Sequence, residues 1–174
     1  MSGDTAWAAP SFGQWHAITG LLSAYARAAD ARDADAQVGL FTEDGLLLVY
    51  RPRASEPSEC HRGHEALRAA FDVLTQFTAT THVLGQIDVE VCGQRARVLA
   101  TGMSHHITDR DGTRQRFTMA DRYEDELLHD GERWRFAQRV KRTDWTETVV
   151  SARTPRAPEC APGSAPGAAR RLEG

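Results

Sequence analysis

Ile18, Leu21, Leu22, Tyr25 and Ala29 recur at helical spacing, an apolar stripe with polar residues between. The pattern predicts an amphipathic helix with Tyr25 on its apolar face and Asp30 near its end. Those two lie five positions apart, about 140° round an ideal helix, so they share a site only if the helix stops close to Asp30. Asp33 or Asp35 is suited to cap a second short helix running through Leu40 and Phe41 and stopping at Asp44-Gly45. Residues 46–50 read as a short apolar strand, and the polar stretch 51–60, with two prolines, as a loop that could cover a pocket. A third helix is expected over residues 64–74, with Leu67, Phe71 and Leu74 on one stripe.

After Gln76 the pattern changes to alternation. Strands are expected near residues 81–91, 95–108, 115–128 and 133–146. Hairpin turns join them at Cys92-Gly93-Gln94, Asp109-Arg110-Asp111-Gly112 and His129-Asp130-Gly131. Helices followed by a run of antiparallel strands describe an α+β fold. The expected form is a cone-shaped α+β barrel, with N-terminal helices packed in a curved, mostly antiparallel sheet and a pocket at the open mouth. Residues 1–14 read as a flexible arm, 15–150 as the domain, and 151–174 as a disordered tail rich in Pro, Ala and Gly.

The 174 residues suffice for one domain with a single core, and their make-up, 41% hydrophobic and 26% charged, is that of a globular protein. A net charge of -3 gives no reason to expect nucleic acid as partner. No run approaches the roughly 18 apolar residues of a membrane span, and the first residues lack a basic segment followed by an apolar one. A cytoplasmic location is therefore expected. Cys60, Cys92 and Cys160 are odd in number and widely spaced, which fits reduced thiols better than a disulfide framework. No phosphate, flavin or nicotinamide fingerprint is present, and the spacing of His61, His64, His105 and His106 matches no metal site. The expectation is chemistry without cofactor or metal.

Tyr25, Asp30 and His82 supply a phenol, a carboxylate and an imidazole, which together can move protons between carbon and oxygen. His105 and His106 are consecutive and face opposite sides of a strand. If Ala96, Val98, Ala100 and Ser104 point inward, so does His106. Asp121 alternates with Phe117, Met119 and Tyr123 on an apolar face, where a carboxylate is costly unless paired or protonated. It is either ion-paired, to an arginine such as Arg139, or an acid in the pocket. Trp134, Phe136 and Trp145 are expected in the core or on a dimer face.

The segments LLSAYARAADARDADAQVGLFTEDG, RGHEALRAAF, TTHVLGQIDVEVCGQRARVLATGMSHH and DRYEDELLHDGERWRFAQRVKRTDW resemble, in order and separation, the SnoaL-like branch of the nuclear-transport-factor-2-like superfamily. That superfamily holds polyketide cyclases, ketosteroid isomerases, scytalone and bile-acid dehydratases and epoxide hydrolases. It also holds binding domains without activity and small subunits of ring-hydroxylating dioxygenases. Tyr25, Asp30 and His82 look like the tyrosine, aspartate and histidine of the bile-acid dehydratase site. Tyr50 and His106 fall near the second tyrosine and second histidine of scytalone dehydratase, and Asp121 near the strand acid of ketosteroid isomerases. The isomerase's general-base aspartate has no counterpart.

The resemblance implies a cofactor-independent lyase or isomerase, of dehydratase type, for a small apolar oxygenated metabolite of bacterial secondary metabolism. Tyr25, Asp30, His82, His106 and Asp121 would be catalytic, and Tyr50, Phe71, Phe117, Met119, Tyr123 and Arg139 would bind substrate. A polyketide-type or epoxide-opening cyclase, a ligand-binding domain and a dioxygenase small subunit stay open as alternatives. The resemblance also implies a homodimer through the outer face of the sheet.

Overall fold

Ser11 starts the first helix: its hydroxyl accepts the Gln14 N–H while its own N–H donates to the Gln14 side chain. The computed structural model describes residues 6–152. Helix α1 (Phe12–Ala31) buries Ile18, Leu21, Leu22, Ala28 and Ala29, and stops where Arg32 adopts the left-handed conformation. The helix therefore begins inside the stretch 1–14 expected as an arm. Ala8 also exchanges two backbone hydrogen bonds with Val91, at 3.0 and 2.9 Å. Of the expected Pro/Ala/Gly-rich tail, residues 151–174, Ser151 and Ala152 are strand and the rest lies outside the described residues.

Helix α2 (Ala34–Val38) is capped by Asp33, whose side chain accepts the Ala36 N–H. It ends at Gly39, short of the expected Phe41. Phe41 instead opens β1 (Phe41–Tyr50), because the Leu40 carbonyl accepts the Phe136 N–H and draws the chain into the sheet. The turn-like Glu43-Asp44-Gly45 sits in a bulge of β1, between the pairs Phe41–Phe136 and Leu46–Gln138. A Cβ on Gly45 would come within 2.9 Å of the Phe41 Cβ, so the bulge needs glycine there.

Strand β2 (Glu59–Arg62) follows the proline-containing loop and pairs with β1, so the last residues of the expected loop are strand. Helix α3 (Gly63–Asp72) continues into a 3-10 turn (Val73–Gln76). Strands β3 (Ala79–Cys92), β4 (Arg95–Arg110), β5 (Thr113–His129) and β6 (Trp134–Ala152) then run as an antiparallel meander. The sheet order is β2-β1-β6-β5-β4-β3, with only β1 and β6 parallel. It is a curved, unclosed mixed sheet around helices, an α+β cone as expected. Ile18 and Leu22 of α1 and Leu67 of α3 pack with Phe41, Leu127 and Phe136 in the core between helices and sheet. No helix among the described residues is long and apolar enough to cross a membrane.

Candidate active site

A cavity of about 330 Å³ opens between α1, α2, α3 and the concave face of the sheet. Its wall is largely apolar: Leu47 and Val49 from β1, Phe71 from α3, Phe117 and Met119 from β5. Against this wall stand a few polar groups, among them Tyr25, Gln37, His82, His106, Lys141 and Thr143. That is the composition of a site that holds an apolar body and orients it by a handful of polar contacts.

His82 is the best-defined of these. Its Nδ1 lies 2.7 Å from Asp30 Oδ1, and no other side chain among the described residues hydrogen-bonds the ring. Two contacts fix the geometry. Thr80 donates its hydroxyl to the Ala29 carbonyl at 2.9 Å, and the Arg32 guanidinium donates to the carbonyls of Phe77 and Thr78, both at 2.7 Å. The end of α1 is thereby tied to the start of β3. An Asp30 carboxylate accepting Nδ1–H leaves the Nε2 lone pair free to act as a base. Burial lowers the His82 pKa below the ordinary 6.5, against the raising effect of Asp30. The ring is neutral at neutral pH.

His106 stacks against Phe77 at 4.5 Å and lies 5.8 Å from the His82 ring, centroid to centroid. Burial, with the charges of His82 and Lys141 adding to it, pushes its pKa down to about 4. Tyr25 is edge-on to Phe41, Phe71 and Phe136. Burial raises its phenol pKa, so at neutral pH the hydroxyl is a donor. The Lys141 ammonium is held 3.3 Å from Asp121 Oδ2, and Asp121 Oδ1 accepts the Thr143 hydroxyl at 2.7 Å. A base, a phenol and a cation thus line one small apolar cavity.

The profile of the SnoaL-like domain matches residues 14–140. The chain belongs to the SnoaL-like family. No curated protein sequence matches it. Solved structures share the fold. A candidate scytalone dehydratase of Novosphingobium aromaticivorans is 21% identical, with 83% of this chain and 91% of that one covered at a TM-score of 0.65. A type-3 LinA hexachlorocyclohexane dehydrochlorinase of Novosphingobium barchaimii is 16% identical, covering 79% and 90% at 0.66. The beta subunit of a candidate aromatic-ring-hydroxylating dioxygenase of Novosphingobium aromaticivorans is 20% identical, covering 75% and 88% at 0.62. Identities this low establish the fold alone.

In this SnoaL-like domain Tyr25, His82 and His106 line the cavity, with Asp30 reaching it through His82. Tyr50, Phe71, Phe117 and Met119 also line it. His105 is turned away and bonds Thr118 at 2.9 Å. Three expected site residues are not in the wall. Arg139, 1% exposed, is locked in a two-pronged ion pair with Asp125, Nε to Oδ1 at 2.9 Å and Nη2 to Oδ2 at 2.7 Å. Its guanidinium also lies over the rings of Tyr25, Tyr123 and Phe136, so it supports the cavity from behind. Tyr123 is buried on its other side and does not reach the cavity. Asp121 is paired with Lys141 instead of Arg139 and serves to hold that ammonium; it does not face the substrate space.

Sequence reasoning missed Gln37 and Lys141. Each is one polar residue among many, and only the packing of α2 and the pairing of Lys141 with Val49 and Tyr123 bring them to the cavity. The alternation Tyr123-Lys141-Val49 across three strands was the available signal for Lys141, but it depends on the β1–β6 register, which is not a local property. Trp145 faces outward because a bulge places Thr143 and Thr146 on the cavity side.

Proposed function

We propose that the protein is a proton-transfer lyase or isomerase, of dehydratase type, acting on a small, mostly apolar, oxygenated metabolite in the cytoplasm. The observation that carries this reading is the 2.7 Å contact between Asp30 and the His82 ring in the wall of a largely apolar cavity. His82 Nε2 takes a proton from a carbon next to a carbonyl. The C–H electron pair moves into the enolate, whose oxygen accepts a hydrogen bond from Tyr25 and the charge of Lys141. The enolate then re-forms the carbonyl and expels the β-hydroxyl, which leaves as water with the proton returned by His82. A carbon–carbon double bond remains. An isomerase would return the same proton to a different carbon.

The low pKa of His106 fits a neutral hydrogen-bonding role, which leaves protonation of the leaving group to His82. Positioned acid–base groups contribute about 10²–10⁴-fold and a preorganised enolate site about 10²–10³-fold. The likeness to dehydratase and dehydrochlorinase folds agrees with this chemistry. A host strain carrying His82→Gln should accumulate a compound one water heavier than the normal product, or an isobaric one for an isomerase. An unchanged metabolite profile with folded variant protein would overturn the reading.

The protein also acts as a homodimer through the outer face of the sheet. Val83, Met103, Ala120 and Trp145 are register neighbours across four strands, and Val83, Met103 and Trp145 are exposed at 55%, 37% and 47%. Such a row of apolar residues supports burial against a second copy. Light scattering should give twice the chain mass for the wild type and the chain mass for Trp145→Glu; a monomeric wild type contradicts the pairing.

A further inference from the structure

Two buried side-chain atoms among the described residues have no hydrogen-bond partner, Gln37 Oε1 and His106 Nε2. Both residues line the one cavity that holds His82. Buried polar atoms are almost always satisfied, and one left without a partner in a pocket wall calls for a ligand atom. Gln37 is only 1% exposed. It lies on α2 between Ala34 and Val38, both buried. Exchanging the amide's oxygen and nitrogen would leave an N–H unpaired instead, so the demand for a polar ligand atom holds in either orientation.

Most of the wall around it, including Leu47, Val49, Ala70, Phe71 and Leu74, offers no hydrogen bond from a side chain. Lys141, Tyr25 and His82 are accounted for by the reacting atoms. Gln37 and His106 are not, and neutral imidazole and amide groups neither supply nor remove charge. They suit recognition of neutral hydroxyl groups.

We propose that Gln37 is a specificity-determining residue whose amide accepts a hydrogen bond from a substrate hydroxyl, with His106 Nε2 holding a further polar atom. The substrate class that follows is a compact, mostly apolar ketone carrying at least one hydroxyl away from the reacting carbonyl. This rests on the proton-transfer reading for the identity of the carbonyl; the hydroxyl contact does not depend on turnover. A site built to bond a hydroxyl rejects the analogue that lacks it, because the buried amide is then left unpaired.

The test is binding to 1-tetralone and its ring-hydroxylated analogues, by calorimetry, with no reaction required. The wild type should bind at least one hydroxy-1-tetralone tighter than 1-tetralone by on the order of tenfold or more. Gln37→Leu should remove that difference while leaving 1-tetralone binding equal or tighter. The unliganded variant should melt at the same or a higher temperature, since an unpaired polar atom is removed. Gln37→Met, unbranched and similar in length, repeats the comparison if leucine does not fold.

Equal binding of all the tetralones to the wild type, or no binding of any, overturns the proposal. So does discrimination that survives in the variants. Melting several degrees lower in both would show an amide satisfied within the protein, for instance by buried water, and overturn it too. None of these outcomes touches the role of His82, which is decided by turnover.

Discussion

Asp30 and His82 lie 52 positions apart in sequence and meet at 2.7 Å in the fold. The end of α1 and the start of β3 are tied together on both sides of the contact, by Thr80 to Ala29 and by Arg32 to Phe77 and Thr78. Burial lowers the His82 pKa, and the Asp30 hydrogen bond and charge raise it. Asp30→Asn removes the raising effects. The acid limb of the kcat/KM profile, set by protonation of the free base, should therefore move to lower pH. Loss of tautomer and orientation should lower the plateau by about 10²–10⁴-fold. A pH–rate profile checks both; a limb moving to higher pH would contradict the assignment.

Lys141 should give the opposite shift. After burial and the effects of Asp30, its charge is a further cause acting on His82, and it lowers the pKa. Lys141→Met should move the acid limb to higher pH and, by removing charge from the enolate site, lower kcat by about 10²–10³-fold. The same substitution leaves Asp121 buried with Thr143 as its close partner, so a loss of stability should accompany it. Parallel kinetic and denaturation measurements separate the two effects.

His106 ties stability to pH. Its folded-state pKa of about 4 lies below the 6.5 of the unfolded chain, so as pH falls the unfolded chain takes up the proton first. The contribution is full above 6.5 and is lost on the way down to about 4. Between those limits it amounts to about 3 kcal/mol. Urea denaturation at pH 7 and pH 4.5 should show that loss in the wild type and a smaller one in His106→Phe. Equal losses would mean the imidazole is not desolvated.

Much of the fold was legible in the sequence, and the exceptions have physical reasons. Alternation located β3 to β6 because each has one face on the core. Asp44-Gly45 read as the stop of the second helix, but pairing with β6 on either side makes it a bulge within a strand. Helical periodicity put Tyr25 on the inner face of α1, and the expected stop near Asp30 brought the carboxylate to His82. Arg139 was misplaced for a different reason. Its side chain does point inward, but Asp125 two strand positions from Tyr123 captures it before it reaches the cavity. Nothing local marks such a partner.

Arg139 and Asp125 are each 2% exposed or less, and removing either partner leaves a buried charge alone. Arg139→Met and Asp125→Asn should each cost about 3–5 kcal/mol, measured by urea denaturation. Arg139→Lys should also destabilise, because one ammonium cannot reproduce the two-pronged contact and the stacking on Tyr25. A change below about 1 kcal/mol in all three would place the pair in the solvent-exposed class.

The central claim is that His82 removes a carbon-bound proton. Extract from a host strain carrying His82→Gln should be incubated with purified wild type and, separately, with the purified variant, and followed by mass spectrometry. The wild type should consume one metabolite and form a product lighter by one water, or an isobaric one. The folded variant should leave the extract unchanged. Equal conversion by both proteins, or none by the wild type, would contradict the account.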